Sequence, residues 1–154
     1  MSFLKKMLGM GTTGSDDKKK EIKEIFEARV KDGASYTTIA AMNLVTTKKL
    51  LEEIHTYYNY ILGYKAGDDP EIVVIATDHE LSEFEEPIIC KRSECTKVEY
   101  LSSTGSFSIT HPAFEKPLDF SIIASSAWGG YIISVSYVDE YIPFTEFFTT
   151  QFVK

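Results

Sequence analysis

Cysteine, tryptophan and histidine are all scarce in this sequence of 154 residues, which contains two Cys, one Trp and three His. It also lacks a G-x-S-x-G elbow, a phosphate-binding glycine loop, an H-E-x-x-H pair and an EF-hand loop. The usual signatures of hydrolases, nucleotide-binding proteins, zinc proteases and calcium sensors are therefore absent. We expect a protein that holds no cofactor and no metal, and these absences favour a non-catalytic protein over an enzyme.

Long apolar runs are missing as well, since no stretch approaches the roughly 20 residues that span a bilayer. The N-terminus has no continuous hydrophobic region, and together with the few cysteines this indicates a reducing, cytoplasmic setting. Residues 1–15 are expected to be a flexible or weakly amphipathic segment, followed by a single α+β domain over residues 16–154. Weak peripheral membrane contact could be made by the apolar residues of the first segment, which are Phe3, Leu4, Met7 and Leu8.

Charge is distributed unevenly along the chain, whose formal net charge is −7. Residues 1–65 carry 11 Lys and Arg against 8 Asp and Glu, whereas residues 66–154 carry 5 against 15. An acidic half repels nucleic acid and favours basic partners. The most concentrated acidic cluster consists of Asp78, Glu80, Glu83, Glu85 and Glu86. This cluster is the predicted docking surface for a basic protein partner, and a solvated acidic loop is the alternative.

The first half of the chain favours helices. Apolar residues recur at helical spacing from Ile22 to Val30, and Asp16 or Asp17 can cap that helix. A second helix is predicted over Thr47–Leu62, although Tyr58–Tyr64 also alternates like a strand. Residues 35–45 fit either a helix or a strand.

The run from Ser35 to Leu50 resembles a helix-turn-helix unit. Ile39, Ala40 and Val45 fall where that motif places core residues, but Leu44 stands where the motif usually has glycine before its turn. The resemblance implies an alternative function, a DNA-binding regulator that uses residues 35–58.

The second half of the chain favours strands. Ile72–Thr77 is apolar on both faces, which is typical of a central strand. Leu118–Val138 has a period of two on either side of a glycine pair and predicts a β-hairpin. The residues expected in its core are Tyr131, Ile133, Val135 and Tyr137. The C-terminal phenylalanines fit either a helix or a strand, and in both cases should be packed. The predicted fold is α+β, with two or three N-terminal helices packed on one face of an antiparallel sheet of five to seven strands.

Two further groups of residues could carry chemistry. Cys90 and Cys95 flank a short loop, and a reduced pair in or beside the sheet is favoured over a disulfide or a zinc site. A small-ligand or enzyme site around His111, Trp128 and Tyr131 is a second alternative function. The preferred function is non-catalytic binding of a basic protein partner, in the manner of an immunity protein, chaperone or adaptor.

Overall fold

The computed structural model describes residues 10–124 and 129–153 of the chain. Within these residues all strand pairs are antiparallel, and the seven strands follow the order β4-β3-β2-β1-β7-β6-β5 across the sheet. The elements in chain order are α1 (Met10–Arg29), β1 (Thr37–Lys49), β2 (Glu52–Lys65), β3 (Glu71–Thr77), β4 (Ile88–Lys91), β5 (Lys97–Leu101), β6 (Ser106–Thr110), β7 (Leu118–Ile122) and α2 (Tyr141–Phe147), which continues as a π-helix over Phe148–Phe152.

The sheet is curled because its two edge strands are consecutive in the chain. Strands β4 and β5 lie at opposite edges, and only residues 92–96 separate them. Seven flat strands at about 4.8 Å spacing would place the edges roughly 29 Å apart. Six Cα steps from Lys91 to Lys97 span at most about 22 Å. The short connection therefore draws the edges together and gives the sheet an inner and an outer face.

The inner face packs on the aromatic residues of the C-terminal helix. The ring of Phe144 contacts Tyr64 on β2 with a centroid distance of 5.1 Å, Phe107 on β6 at 5.0 Å and Phe120 on β7 at 6.2 Å. Since one side chain touches three strands that are spread across the sheet, α2 lies inside the curl. The C-terminal phenylalanines are packed as the sequence predicts, and all of them are buried: Phe144, Phe147, Phe148 and Phe152.

Helix α1 covers the outer face. Neighbouring residues of a strand point to opposite faces, so Gly63 faces away from α2 when Tyr64 faces toward it. The absence of a side chain at Gly63 makes room for the ring of Phe26 from α1. Ile22 and Phe26 are fully buried, and Val30 is nearly so, which confirms their predicted helical spacing.

The predicted two or three N-terminal helices are wrong, because only α1 precedes the sheet in the described chain. It begins at Met10, within the predicted 1–15 segment. The weakly amphipathic residues Phe3, Leu4, Met7 and Leu8 lie outside the described residues, and the predicted domain boundary stays a prediction.

The predicted helix over Thr47–Leu62 is wrong, because these residues form the end of β1, the turn at Leu50 and Leu51, and most of β2. Every residue of β1, from Thr37 to Lys49, has a partner on β2. The β-branched and aromatic residues of both segments favour this pairing over a helix. The helix-turn-helix interpretation of residues 35–58 is wrong for the same reason, since those residues contain no recognition helix and form most of a β-hairpin.

The predicted hairpin over Leu118–Val138 is only half correct. Its first strand is present as β7, but the described residues after it form no second strand. Tyr131 is 64% exposed and is not core, whereas Ile133 and its neighbour Ile132 are both buried. Burial of consecutive residues breaks the period of two that a half-buried strand requires. Val135 and Tyr137 are buried as predicted.

The close approach of Gly63 to Phe26 can be tested by adding one methyl group. A Cβ at Gly63 would lie 2.0 Å from Cζ of Phe26. Gly63→Ala should therefore lower the free energy of unfolding by about 1–3 kcal/mol, the usual cost of overpacking. Gly130→Ala is the control, since a Cβ there would have no atom within 4 Å. Urea denaturation measures both variants, and equal stability of Gly63→Ala and wild type would contradict this packing.

Candidate functional site: the mouth of the curled sheet and its arm

Residues 43–58 form the outer part of the β1–β2 hairpin, here called the arm. Strand β7 pairs with β1 only at Ala41 and Met42, and β3 pairs with β2 only from Asn59 onward. Among the described strands, the two strands of the arm therefore pair only with each other. Side chains 44–55 are all exposed. At about 3.3 Å per residue the arm projects about 20 Å beyond the body.

At the base of the arm the curled sheet is open and forms a cleft of about 1190 Å³, here called the mouth. Residues 83–86, from the β3–β4 connection, form one wall, and residues 113–117, from the β6–β7 connection, form the other. Its apolar and aromatic lining includes Tyr58, Tyr60, Phe84, Ile88, Phe114 and Leu118. Its carboxylates are Asp78, Glu83, Glu85, Glu86, Glu115 and Asp119. Lys116 is the only basic residue of the lining in the described part of the chain.

The residues of the predicted acidic cluster occupy different positions in the structure. Glu83, Glu85 and Glu86 are exposed on the first wall of the mouth, and their exposure agrees with the sequence prediction. Glu80 lies outside the lining, where its Oε1 is 3.6 Å from Nε2 of His79. Whether any of these residues binds a partner stays a prediction.

Asp78 organises the first wall rather than presenting a free carboxylate. Its Oδ2 accepts a hydrogen bond from Oγ of Ser82 at 2.5 Å, and its Oδ1 accepts from the backbone N–H groups of Ser82 at 2.8 Å and Glu83 at 2.9 Å. These hydrogen bonds hold the pKa of Asp78 well below its usual range, and the bond from the Ser82 hydroxyl has the largest effect. The carboxylate of Asp78 therefore stays ionised and fixes the turn that leads into residues 83–86, the first wall of the mouth.

Carboxylates on two sides of the mouth raise the pKa of Tyr60, which forms the aromatic floor of the mouth together with Tyr58. Burial, with smaller contributions from the nearby Tyr58, Glu85 and Asp119, raises the pKa of Tyr60 to about 12. Glu85 lies in the β3–β4 connection and Asp119 on strand β7, so negative charges from two separate parts of the chain converge on one phenol. The mouth is an aromatic surface in a negative potential, and such a surface suits a cation with an apolar stem.

A smaller cleft of about 570 Å³ lies beside the mouth and contains two of the three histidines. His55 and His79 line it together with Asp78 and Tyr131. The ring of Tyr131 stacks on Tyr57 with a centroid distance of 5.0 Å. This cleft borders the base of the arm and shares Tyr57 and Asp78 with the mouth.

His111 and Tyr131, two residues of the predicted ligand or enzyme site, line no common cleft and have different contact partners among the described residues. Nδ1 of His111 accepts a hydrogen bond from the backbone N–H of Ala113 at 3.0 Å, and Nε2 lies 3.3 Å from Oε1 of Glu94. The contact with His111 lowers the pKa of Glu94. These bonds fasten the second wall of the mouth to the β4–β5 connection. Trp128, the third residue of that predicted site, lies outside the described residues.

Cys90 and Cys95 are buried thiols. Burial raises the pKa of Cys90 to about 12, with smaller contributions from Cys95 and Glu94. Sγ of Cys95 donates to the carbonyl of Lys91 at 3.3 Å. In the described part of the chain, no three His, Cys, Asp or Glu side chains are grouped so that they could hold a metal ion.

The fold and the site define an α+β protein in which a curled antiparallel sheet encloses a C-terminal helix and leaves one end open beside a projecting hairpin. No protein-family model, curated protein or solved structure matches the chain. No helix in residues 10–124 and 129–153 is long and apolar enough to cross a membrane.

Sequence reasoning missed the aromatic floor of the mouth. Tyr58 and Tyr60 fall within the predicted helix Thr47–Leu62, and no local pattern singles out Phe114. The alternation of Tyr58, Tyr60, Leu62 and Tyr64 carries the signal, because it places all four on one face of a strand.

Asn59 provides a test of how the site is assembled, since it is the buried polar residue that ties β2 to the segment after β7. Its Oδ1 accepts from the N–H of Ile133 at 3.0 Å, and its Nδ2 donates to the carbonyl of Tyr131 at 3.1 Å. Asn59→Ala should lower the free energy of unfolding by about 1–3 kcal/mol because it leaves a buried N–H group without a partner. Amide hydrogen exchange at Ile133 should also accelerate.

The control is Asn43→Ala, which changes a partly exposed asparagine of the neighbouring strand. It should leave exchange at Ile133 unchanged. If Asn59→Ala and Asn43→Ala have the same effect on stability and exchange, the anchoring role of Asn59 is refuted.

Proposed function

We propose that the protein is a non-catalytic binding module whose mouth holds a basic segment of a protein partner. The composition of the mouth carries this proposal, because aromatic rings form its floor and carboxylates from two separate connections form its rim. Arginine and lysine side chains match both parts, since their stems pack on rings while their charged ends reach carboxylates.

The size of the mouth favours a peptide segment over a compact metabolite. Its volume of about 1190 Å³ exceeds the roughly 300–1,000 Å³ of most small-molecule pockets. The cleft is open along the base of the arm, so a chain could enter and leave it without threading. Several residues of an extended segment would fit between the two walls.

The negative charge of residues 66–154 also favours a basic partner, and it acts over a longer range than direct contacts. The second half of the chain, which supplies both walls, has 15 acidic and 5 basic residues. A field of one sign speeds the encounter with an oppositely charged partner and makes the rate sensitive to salt. The rim would then contribute mainly to association, and the aromatic floor would contribute mainly to residence time.

A defined peptide tests the proposal without knowledge of the natural partner. A fluorescein-labelled peptide of alternating arginine, leucine and serine is the probe, and the same peptide with glutamate in place of arginine is its counterpart. We expect fluorescence anisotropy to detect binding of the basic peptide only. The variant Glu83→Gln/Glu85→Gln/Glu86→Gln should weaken it about tenfold, which corresponds to about 1.4 kcal/mol.

A charge-matched variant separates the mouth from overall acidity. Glu24→Gln/Asp68→Asn/Glu146→Gln removes three negative charges from exposed residues outside the mouth. It should bind the basic peptide nearly as well as wild type. Equal weakening by the two triple variants, or no weakening by the rim variant, would contradict binding at the mouth.

A further inference from the structure

The tip of the arm exposes two leucines that nothing in the described chain covers. Leu50 is 98% exposed and Leu51 is 95% exposed. The arm as a whole is rich in such side chains, with six of the eleven exposed large hydrophobic residues of the described chain: Leu44, Val45, Leu50, Leu51, Ile54 and Tyr58. An exposed apolar surface of this kind marks an interaction site.

Turn chemistry gives no reason for leucine at either position. Lys49 pairs with Glu52, so Leu50 and Leu51 alone form the connection of the hairpin. Two-residue hairpins favour turns with positive φ and residues such as Asn-Gly. The non-glycine residues with positive φ in the described chain are Asp32 and Leu81, so neither tip leucine adopts that conformation. The leucines neither suit the turn nor gain burial within the chain.

Exposed apolar residues also occur along the arm between the tip and the mouth. Side chains that pair directly across the arm share a face, and the face that enters the mouth contains Tyr58, Val45 and Ile54. These three are 44%, 41% and 37% exposed. One molecule therefore presents an apolar tip as a plug and an aromatic mouth as a socket, and on this face of the arm the charged pair Lys49–Glu52 lies next to the tip.

The tip also carries two lysines that are available to a partner, although Glu52 and Glu53 make residues 48–53 neutral overall. Lys48 and Lys49 face Glu53 and Glu52 across the arm. Within the described residues, however, neither lysine has a carboxylate at ion-pair distance, and Glu53 lies near His55 instead. Two lysines directly behind the leucines complement the acidic rim of the mouth.

We propose that two copies of this chain form a two-fold symmetric dimer in which the arm tip of each lies in the mouth of the other. A plug and a socket on the same surface are what an isologous interface needs, because each contact then occurs twice. The tip cannot reach its own mouth, since a two-residue turn holds it about 20 Å from the base of the arm. The arm and the two walls supply about as many residues as one side of a standard interface, which has about 20–30.

The inference rests on the proposed function in one respect, since both use the mouth as the receiving site. It adds that the arm tip of a second copy occupies the mouth when no basic segment does. A basic peptide and the partner's arm should then compete, so that excess peptide converts dimers to monomers.

The first test replaces the tip residues with a pair that suits the turn. Leu50→Asn/Leu51→Gly should keep the hairpin folded, because Asn-Gly is the favoured sequence for this connection. Sedimentation velocity over a range of concentrations should detect a monomer–dimer equilibrium for wild type. The variant should raise the dimer dissociation constant about tenfold or more, a change of at least about 1.4 kcal/mol. A folded variant that dimerises like wild type would overturn the inference.

The second test locates the contact with engineered cysteines, since the natural Cys90 and Cys95 are buried. Leu51→Cys protein is mixed with Ala113→Cys protein under mild oxidation. We expect a disulfide-linked pair that contains one of each. Ile142→Cys replaces Ala113→Cys in the control, because Ile142 is 66% exposed and does not line the mouth. Equal yields in the two mixtures would rule out this geometry.

A third experiment distinguishes a second copy of the chain from other molecules that could cover the tip. If wild type stays monomeric at several hundred micromolar and floats with phosphatidylcholine vesicles only when the leucines are intact, the tip binds lipid and the dimer is refuted. If it is monomeric yet binds the basic peptide, the dimer fails and the proposed function stands. If it dimerises but ignores the peptide, the proposed function fails and the dimer stands.

Discussion

The short connection between β4 and β5 is the constraint on which the rest of the structure depends. It joins strands at opposite edges of a seven-stranded sheet with only residues 92–96 between them. A flat sheet cannot satisfy that length, so the sheet must curl. Two contacts hold the closure: Arg92 donates to the carbonyl of Val153 at 3.2 Å, and Glu94 contacts His111. The curl in turn creates the enclosed space that the C-terminal phenylalanines fill.

The mouth and the arm both follow from a mismatch in strand length within that curl. Strands β1 and β2 have 13 and 14 residues, whereas the other five have 4 to 7. The additional residues find no neighbouring strand and project as the arm. The C-terminal helix fills the curl only in part, so the end beside the arm stays open as the mouth. Two loops that no strand covers then supply its acidic walls.

Those parts of the fold that depend on one local pattern could be predicted from the sequence. The spacing of Ile22 and Phe26 predicts helix α1, and the unbroken apolar run of residues 72–75 predicts an interior strand. The antiparallel sheet and the exposure of Glu83, Glu85 and Glu86 were also predicted correctly.

The errors arise where two patterns fit the same residues. The spacing of Leu50, Ile54 and Tyr58 suits a helix. These residues belong to a β-hairpin instead, because all thirteen residues of β1 pair with β2. Likewise, the residues from Tyr131 to Tyr137 alternate like a strand, but hydrogen bonds with Asn59 hold the start of this segment in an irregular conformation. The mouth was not predictable because its floor and walls come from four segments that are brought together only by the curl.

The central claim is that the open end of the curled sheet is where the partner binds. The most direct measurement is an amide NMR titration of ¹⁵N-labelled protein with the basic peptide. The account predicts shift changes in residues 83–86 and 113–117 from both walls and in the aromatic floor at Tyr58 and Tyr60, and none in α1 from Ile22 to Arg29. Changes centred on α1, or spread evenly over all exposed acidic residues, would contradict it.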